Sequence, residues 1–311
     1  MKAGSHLEKV LAKGMFAVTG EFNPPKGNDV SVVKRKAELL KGCVDAVNVT
    51  DNQTAIVRMS SIAASSLLMQ LGLEPVMQMT TRDRNRIAIQ SDLMGATALG
   101  IKNVLCLTGD HQSFGNQVDS KNVHDLDSIQ LIDCVRTMRD QGTLLGGVEK
   151  IEGEIRLFIG AVENPFGDPF EFRAIRLGKK VTAGADFIQT QCIYDMNRFK
   201  EWMKIVQDRG LHEKCHILAG VSPLNSERII LQCKEKTLPK VPIPDVLIDR
   251  ITKSKDPDKE GIRICIEQVK ELKEMKGIHG IHLMGMDLEE KFAQIVDRAG
   301  LSPRPGSNRE E

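Results

Sequence analysis

Residues 158–191 read FIGAVENPFGDPFEFRAIRLGKKVTAGADFIQTQ, and they spell out one unit that the rest of the chain repeats. Phe158–Glu163 is a short apolar run of strand-forming residues. Phe170–Ala183 has helical spacing and stops at Gly184, where a helix end favours a left-handed residue. Phe187–Gln191 is a second strand signal, so the unit is strand, helix, strand, with a connection long enough for parallel pairing. Working outward, strand signals recur at Phe16–Phe22, Ala46–Thr50, Glu74–Thr80, Asn103–Thr108, His216–Val221 and Gly280–Met284, giving eight in all. They are near-continuous apolar runs, as parallel strands covered on the outside should be. Helical patterns fill the gaps at Val30–Leu40, Val57–Leu71, Arg84–Leu99, Ser128–Gln141, Asn197–Arg209, Gly261–Lys276 and Leu288–Ala299. Stop signals stand at Gly42, Gly72, Gly100, Gly142, Gly210, Gly277 and Gly300. An eightfold βα repeat predicts an α/β fold of the (β/α)8 TIM-barrel class. The competing doubly wound sheet lacks a Gly-x-Gly-x-x-Gly after the first strand.

We read residues 1–311 as a single domain, with a core over 14–301 and a frayed polar tail over 302–311. Two stretches exceed a simple βα unit. Gly142–Arg156 is glycine-rich with alternating polarity and predicts a small hairpin; Lys236–Asp258 carries four prolines around a short helix. With 43 Lys+Arg against 42 Asp+Glu the net charge is +1, which argues against a nucleic-acid binder. Aromatic residues at 4% argue against a base-stacking platform. No apolar run approaches the roughly 18 residues of a membrane span, and Met1–Gly14 has no signal-peptide core. A cytosolic protein is expected. The 7 cysteines are scattered singly without a Cys-x-x-Cys pair, which reads as buried thiols rather than a cluster or zinc site.

In such barrels chemistry collects where the strands end. The first strand carries Glu21, followed by Asn23; a carboxylate flanked by Gly20 and Phe22 is costly to desolvate unless paired or protonated. A partly buried glutamic acid of raised pKa suits a general acid, and a structural carboxylate bonded to a loop amide or arginine is the alternative. Further rim candidates are Thr50, Asp51 and Asn52, then Gln78, Thr80, Thr81 and Asp83, then Thr108, Gly109, Asp110 and His111. Asp110 after Gly109 is either a ligand contact or an ordinary helix cap. Gln191 can read donor and acceptor edges of a heterocycle, or simply pack. The pairs His212/His216 and His279/His282 have metal-like spacing, but each straddles a loop–strand boundary, so no metal is expected. His111 and His124 flank the loop after strand four.

Five motifs occur in order: Gly20-Glu21-Phe22-Asn23-Pro24-Pro25-Lys26, Val49-Thr50, Leu107-Thr108-Gly109-Asp110, Lys180-x-x-Ala183-Gly184-Ala185-Asp186 and Thr190-Gln191. Together, over about Phe16 to Leu301, they resemble the methylenetetrahydrofolate reductase family. The resemblance implies a flavin-bearing barrel whose reduced flavin passes hydride from N5 to the methylene carbon of 5,10-methylenetetrahydrofolate, giving 5-methyltetrahydrofolate. It implies that Glu21 protonates N10, which opens the ring to a 5-iminium cation. Asp110 matches an acidic residue near the flavin pyrimidine and the pterin, where a carboxylate stabilises the cation and disfavours a negatively charged reduced flavin. Gln191 matches a folate-binding amide. Thr50, Gln78, Thr80, Asp83, Thr108 and Lys180 fall where the family lines its flavin site, beside Gly109, Asp110 and His111. FAD is the expected flavin, with FMN the alternative.

The chain departs from better-known members at Asp51, where aromatics are common, at Gln78 for histidine, at Thr108 for arginine, and over Cys192-Ile193-Tyr194 for a phenylalanine-rich stretch. The run His111-Gln112-Ser113-Phe114-Gly115 resembles short reductases of acetyl-CoA-pathway bacteria. That likeness implies either a partner subunit carrying iron–sulfur and zinc sites or NAD(P)H as electron source, and an oligomeric assembly. Two other functions compete. One is a methyltetrahydrofolate-binding, corrinoid methyltransferase-type barrel without flavin; the other is a non-catalytic folate-binding subunit.

Overall fold

Apolar residues on both faces let each short run lie between a barrel interior and a helix layer; the first strand is buried at every position. The computed structural model describes residues 1–225, 242–285 and 288–306. Its strands are β1 (Ala17–Phe22), β2 (Ala46–Val49), β3 (Pro75–Thr80), β4 (Asn103–Leu107), β5 (Phe158–Glu163), β6 (Phe187–Cys192), β7 (His216–Val221) and β8 (Gly280–Leu283). They close in sequence order, all parallel, with β1 pairing both β2 and β8. The (β/α)8 TIM barrel expected from the repeat is therefore the fold.

The outer helices are α2 (Val30–Leu40), α3 (Ser61–Gln70), α4 (Arg86–Ala98), α5 (Ser128–Asp140), α6 (Phe170–Ala183), α7 (Met196–Asp208), α8 (Asp245–Thr252), α9 (Pro257–Lys273) and α10 (Glu289–Arg298). Side-chain caps set several starts later than hydrophobic periodicity alone suggests. Ser60 caps α3 through Ala63 N–H, and Asn85 caps α4 through the amides of Ile87 and Ala88. The expected stop glycines all take left-handed φ, from 62° at Gly210 to 119° at Gly184. The hairpin expected at Gly142–Arg156 shrinks to one antiparallel bridge between Thr143 and Lys150. The short helix expected within Lys236–Asp258 is α8; Cys233 and the first part of that stretch, 236–241, lie outside the described residues. The six described cysteines are buried free thiols.

Two features were not expected. A helix, α1 (His6–Ala12), precedes the first strand, and its Leu7, Val10 and Leu11 pack against the barrel's lowest interior layer of Ala17, Ala46, Val76, Leu105, Phe158, Phe187 and Leu218. Phe158 and Phe187 stack there at 5.1 Å between centroids. Glu74 ties the plug down, accepting from His6 N–H at 2.6 Å and Leu7 N–H at 2.9 Å. The segment expected to fray from residue 302 is also tied down at Arg304. Arg304 is buried and bonds Asp45 Oδ2 at 2.5 Å, Phe16 O at 2.8 Å and Leu301 O at 2.8 Å. Asp45 in turn caps Val18 N–H at 2.7 Å, so this arginine pins the chain's end under the first two strands.

Leu7 is fully buried. Leu7→Ala should therefore lower the unfolding free energy by about 2–5 kcal/mol in urea titrations. A loss below about 0.5 kcal/mol would mean that α1 does not share the core.

Candidate functional site

At the C-terminal ends of the strands lies a cavity of about 260 Å³ whose wall includes Glu21, Thr50, Gln78, Thr80, Gly109, Asp110 and Gln191. Seven of the residues expected from sequence thus meet in one place. A wider depression of about 530 Å³ sits at the opposite end, beside Glu74 and Arg304, where β2 and β3 begin at Ala46 and Pro75.

Glu21 faces this cavity from β1 and is only 3% exposed. Asn23 donates from Nδ2 to Glu21 Oε1 at 3.2 Å, and Thr50 donates from Oγ1 to Asn23 Oδ1 at 3.1 Å. The Thr50 hydroxyl therefore serves the acid's orientation. Asp51, fully buried, accepts from Thr80 N–H at 2.9 Å, Thr80 Oγ1 at 2.9 Å and Arg84 Nη1 at 2.6 Å. Thr80 reaches the cavity with its hydroxyl already committed.

Arg82, which sequence reasoning passed over, is the joint of the rim. Its Nε and Nη2 grip Asp83 at 2.7 and 2.6 Å, while Nη1 donates to Asp110 O at 3.1 Å and Nη2 to Asn52 O at 3.3 Å. Burial works against this charge, but Asp83, with Asp51 and Asp110 further out, holds the pKa above the usual arginine value. Asp83 is thereby held at the rim by Arg82 and does not line the cavity. Gly109 follows at φ 91°, where a Cβ would come within 3.1 Å of Arg82 Cβ and 3.2 Å of Thr80 Cβ. Asp110 Oδ2 accepts from Thr54 N–H at 3.0 Å, clasping the loop after β2.

Besides Asp83, three expected contacts lie elsewhere. Thr108 stays outside the cavity and gives its carbonyl to Arg82 N–H at 3.0 Å. His111 is exposed and caps the turn Gln112–Phe114, with Nδ1 2.9 Å from Ser113 Oγ. Lys180 is buried behind the sheet between β5 and α6, 2.8 Å from Glu163 Oε2 and bonded to Val162 O. Burial lowers its pKa against the pull of Glu163, and its ammonium is taken. Sequence could place Lys180 near a strand end, but not show which carboxylate would claim it.

Gln191 reaches the cavity through a β-bulge. The β6–β7 register runs from Gln189↔Leu218 to Cys192↔Gly220, one residue longer on β6. Thr190 and Gln191 consequently line the cavity together. Gly220 permits this, since a Cβ there would sit 2.3 Å from Thr190 O and 2.7 Å from Gln191 O. Below Glu21 lies a polar layer of Thr19, Asn48, Gln189 and His282, all buried. His282, spaced like a metal ligand, instead points into the barrel, where burial pushes its pKa down to about 3. His279 stands at the other end, edge-on to His216 at 5.0 Å. Among the described residues no group of three His, Cys, Asp or Glu is placed to hold a metal ion.

The sequence model of the methylenetetrahydrofolate reductase family matches residues 6–300. A Caenorhabditis elegans protein named probable methylenetetrahydrofolate reductase (NADPH) is 25% identical over 313 residues, covering 95% of this chain and 44% of that one. An Arabidopsis thaliana protein named methylenetetrahydrofolate reductase (NADH) 1 is 24% identical over 285 residues, covering 87% of this chain and 46% of that one. The chain thus spans under half the length of these relatives. A solved Clostridium thermocellum protein, described as uncharacterized and as binding two copies of 5-methyl-5,6,7,8-tetrahydrofolic acid, superposes with TM-score 0.63 at 14% identity over 95% of this chain and 98% of that one. That likeness speaks for the fold. A match running from the first helix to the last, on a barrel of the expected topology, makes this chain a member of the methylenetetrahydrofolate reductase family.

Proposed function

We propose that the barrel reduces 5,10-methylenetetrahydrofolate to 5-methyltetrahydrofolate, using a flavin as hydride source and Glu21 as acid. The observation that carries this reading is a carboxyl group 3% exposed on the cavity wall of a chain in this family. The cavity also fits a flavin-like ring. Gly109 leaves bare backbone beside Thr80 and Arg82, and Gln53 Oε1 is buried on the wall without a partner. A bare backbone edge and an unpaired carbonyl suit a flat heterocycle carrying N–H groups.

A flavin held on this wall would supply the hydride that the methylene carbon takes up. Glu21 holds the proton that passes to N10 and opens the imidazolidine ring to the 5-iminium cation. Asn23, steadied by Thr50, fixes one carboxyl oxygen of that acid. Asp110 at the rim stabilises the cation, and its charge disfavours a negatively charged reduced ring nearby. Gln191, turned inward by the bulge, offers an amide donor and acceptor to the pterin. Gln78 and Thr80, on the cavity wall, would hold the flavin, while Lys180 is held by Glu163 instead. FAD is the flavin in this reading and FMN the alternative. Electrons come from NAD(P)H or from a partner subunit with iron–sulfur and zinc sites, to a cytosolic, single-domain chain in an oligomer. No described helix is long and apolar enough to cross a membrane.

Glu21→Gln keeps the shape and removes the acid. Rapid mixing of the flavin-loaded variant should show folate reduction slowed about a hundred- to ten-thousandfold, with flavin reduction by a chemical donor unchanged. Equal loss in both half-reactions would contradict the assignment. Asp110→Asn removes a negative charge beside the ring, so the flavin midpoint potential, read against redox dyes, should move upward. An unmoved potential would place Asp110 away from the flavin.

A further inference from the structure

Four polar side chains cross the barrel beneath Glu21, and their hydrogen bonds form one chain. Gln189 Nε2 donates to Thr19 Oγ1 at 3.3 Å, Thr19 Oγ1 lies 2.9 Å from His282 Nδ1, and His282 Nε2 lies 3.3 Å from Asn48 Nδ2. The directions follow from what each atom can do. An amide nitrogen only donates, so His282 Nε2 must be the bare nitrogen and the ring's single proton sits on Nδ1, shared with Thr19. The ring is neutral because burial holds its pKa far below neutrality. Thr19, accepting from both sides, turns its own proton to Ile281 O at 3.4 Å.

Each end amide then turns its nitrogen inward, with one N–H bonded to the layer. Asn48 Oδ1 and Gln189 Oε1 have no partner, although each residue is 1% exposed and lines the cavity. A buried carbonyl left unpaired is costly, so two of them on one cavity floor call for donors from a ligand.

We propose that the side-chain carbonyls of Asn48 and Gln189 form an acceptor subsite that reads ring N–H groups and selects a tetrahydropterin over a fully oxidised pterin. The inference rests on the folate reading above. A tetrahydropterin carries N–H at N8, whereas the oxidised ring has a lone pair there. Carbonyl oxygens meeting that lone pair repel it and stay unpaired, and sites built this way reject the analogue that lacks the donor. Thr19 and His282 are positioning residues, since they set which end of each amide faces the cavity.

The test is calorimetric titration of the flavin-loaded full chain with tetrahydrofolate and with folic acid. The wild-type chain should bind tetrahydrofolate about tenfold or more tightly than folic acid. Asn48→Leu and Gln189→Met should each bring that ratio towards one by weakening tetrahydrofolate alone. Nitrogen-15 shifts of labelled histidine should report His282 as the Nδ1–H tautomer, a readout that needs neither variant to fold. A wild-type chain that binds both folates equally, folded variants that keep the preference, or an Nε2–H tautomer would overturn the subsite while leaving the folate reading standing. A wild-type chain that binds neither folate would overturn both.

Discussion

A carboxyl group carried on the inner wall of a barrel has to be received by other polar groups, because a low-dielectric interior penalises it by several kcal/mol if it stands bare. Glu21 imposes that constraint, and the upper half of the barrel is built around it. Asn23 and Thr50 receive it from above, and the layer of Thr19, Asn48, Gln189 and His282 lies beneath. A polar upper half leaves apolar packing to the lower half, where Phe158, Phe187, Leu105 and Leu218 fill the interior. Helix α1 closes that end, with Leu7, Val10 and Leu11 packed on the lowest layer.

The rim is held by charge and by strain together. Asn52, Thr54 and Ala55 take left-handed φ of 46°, 57° and 55°, conformations that cost roughly 1–3 kcal/mol each outside glycine. Such a loop persists only if its surroundings over-determine it. Asp110 caps Thr54, Arg82 takes the carbonyl of Asn52, and Asn52 Oδ1 accepts from Arg58 N–H at 3.0 Å. Gly115 lies so close that a Cβ there would overlap Ala55 O at 1.8 Å. Asp110 therefore clasps the loop while it also lines the cavity.

Strand ends were legible in the sequence because apolar runs, glycine stops and side-chain caps are local signals, and all eight strands lie within a residue of their expected limits. Glu21, Thr50, Gln78, Thr80, Asp110 and Gln191 were legible as rim residues for the same reason. What stayed hidden depends on partners far along the chain. Lys180 resembles a ligand contact until Glu163 is seen to hold it. The bulge that turns Gln191 inward needs Gly220 on the next strand. Asn48, Gln189 and His282 share a layer only once β2, β6 and β8 are wrapped around a common axis. Helix α1 was missed because its seven residues carry too short a pattern to stand out before the barrel floor it covers is known.

The most direct trial of the folate-reducing role is a single turnover without oxygen. The chain, loaded with flavin and fully reduced, is mixed with 5,10-methylenetetrahydrofolate while absorbance and product are followed. Return of the oxidised flavin band with one 5-methyltetrahydrofolate formed per flavin is the expected result. Flavin that stays reduced beside bound, unchanged folate would contradict it.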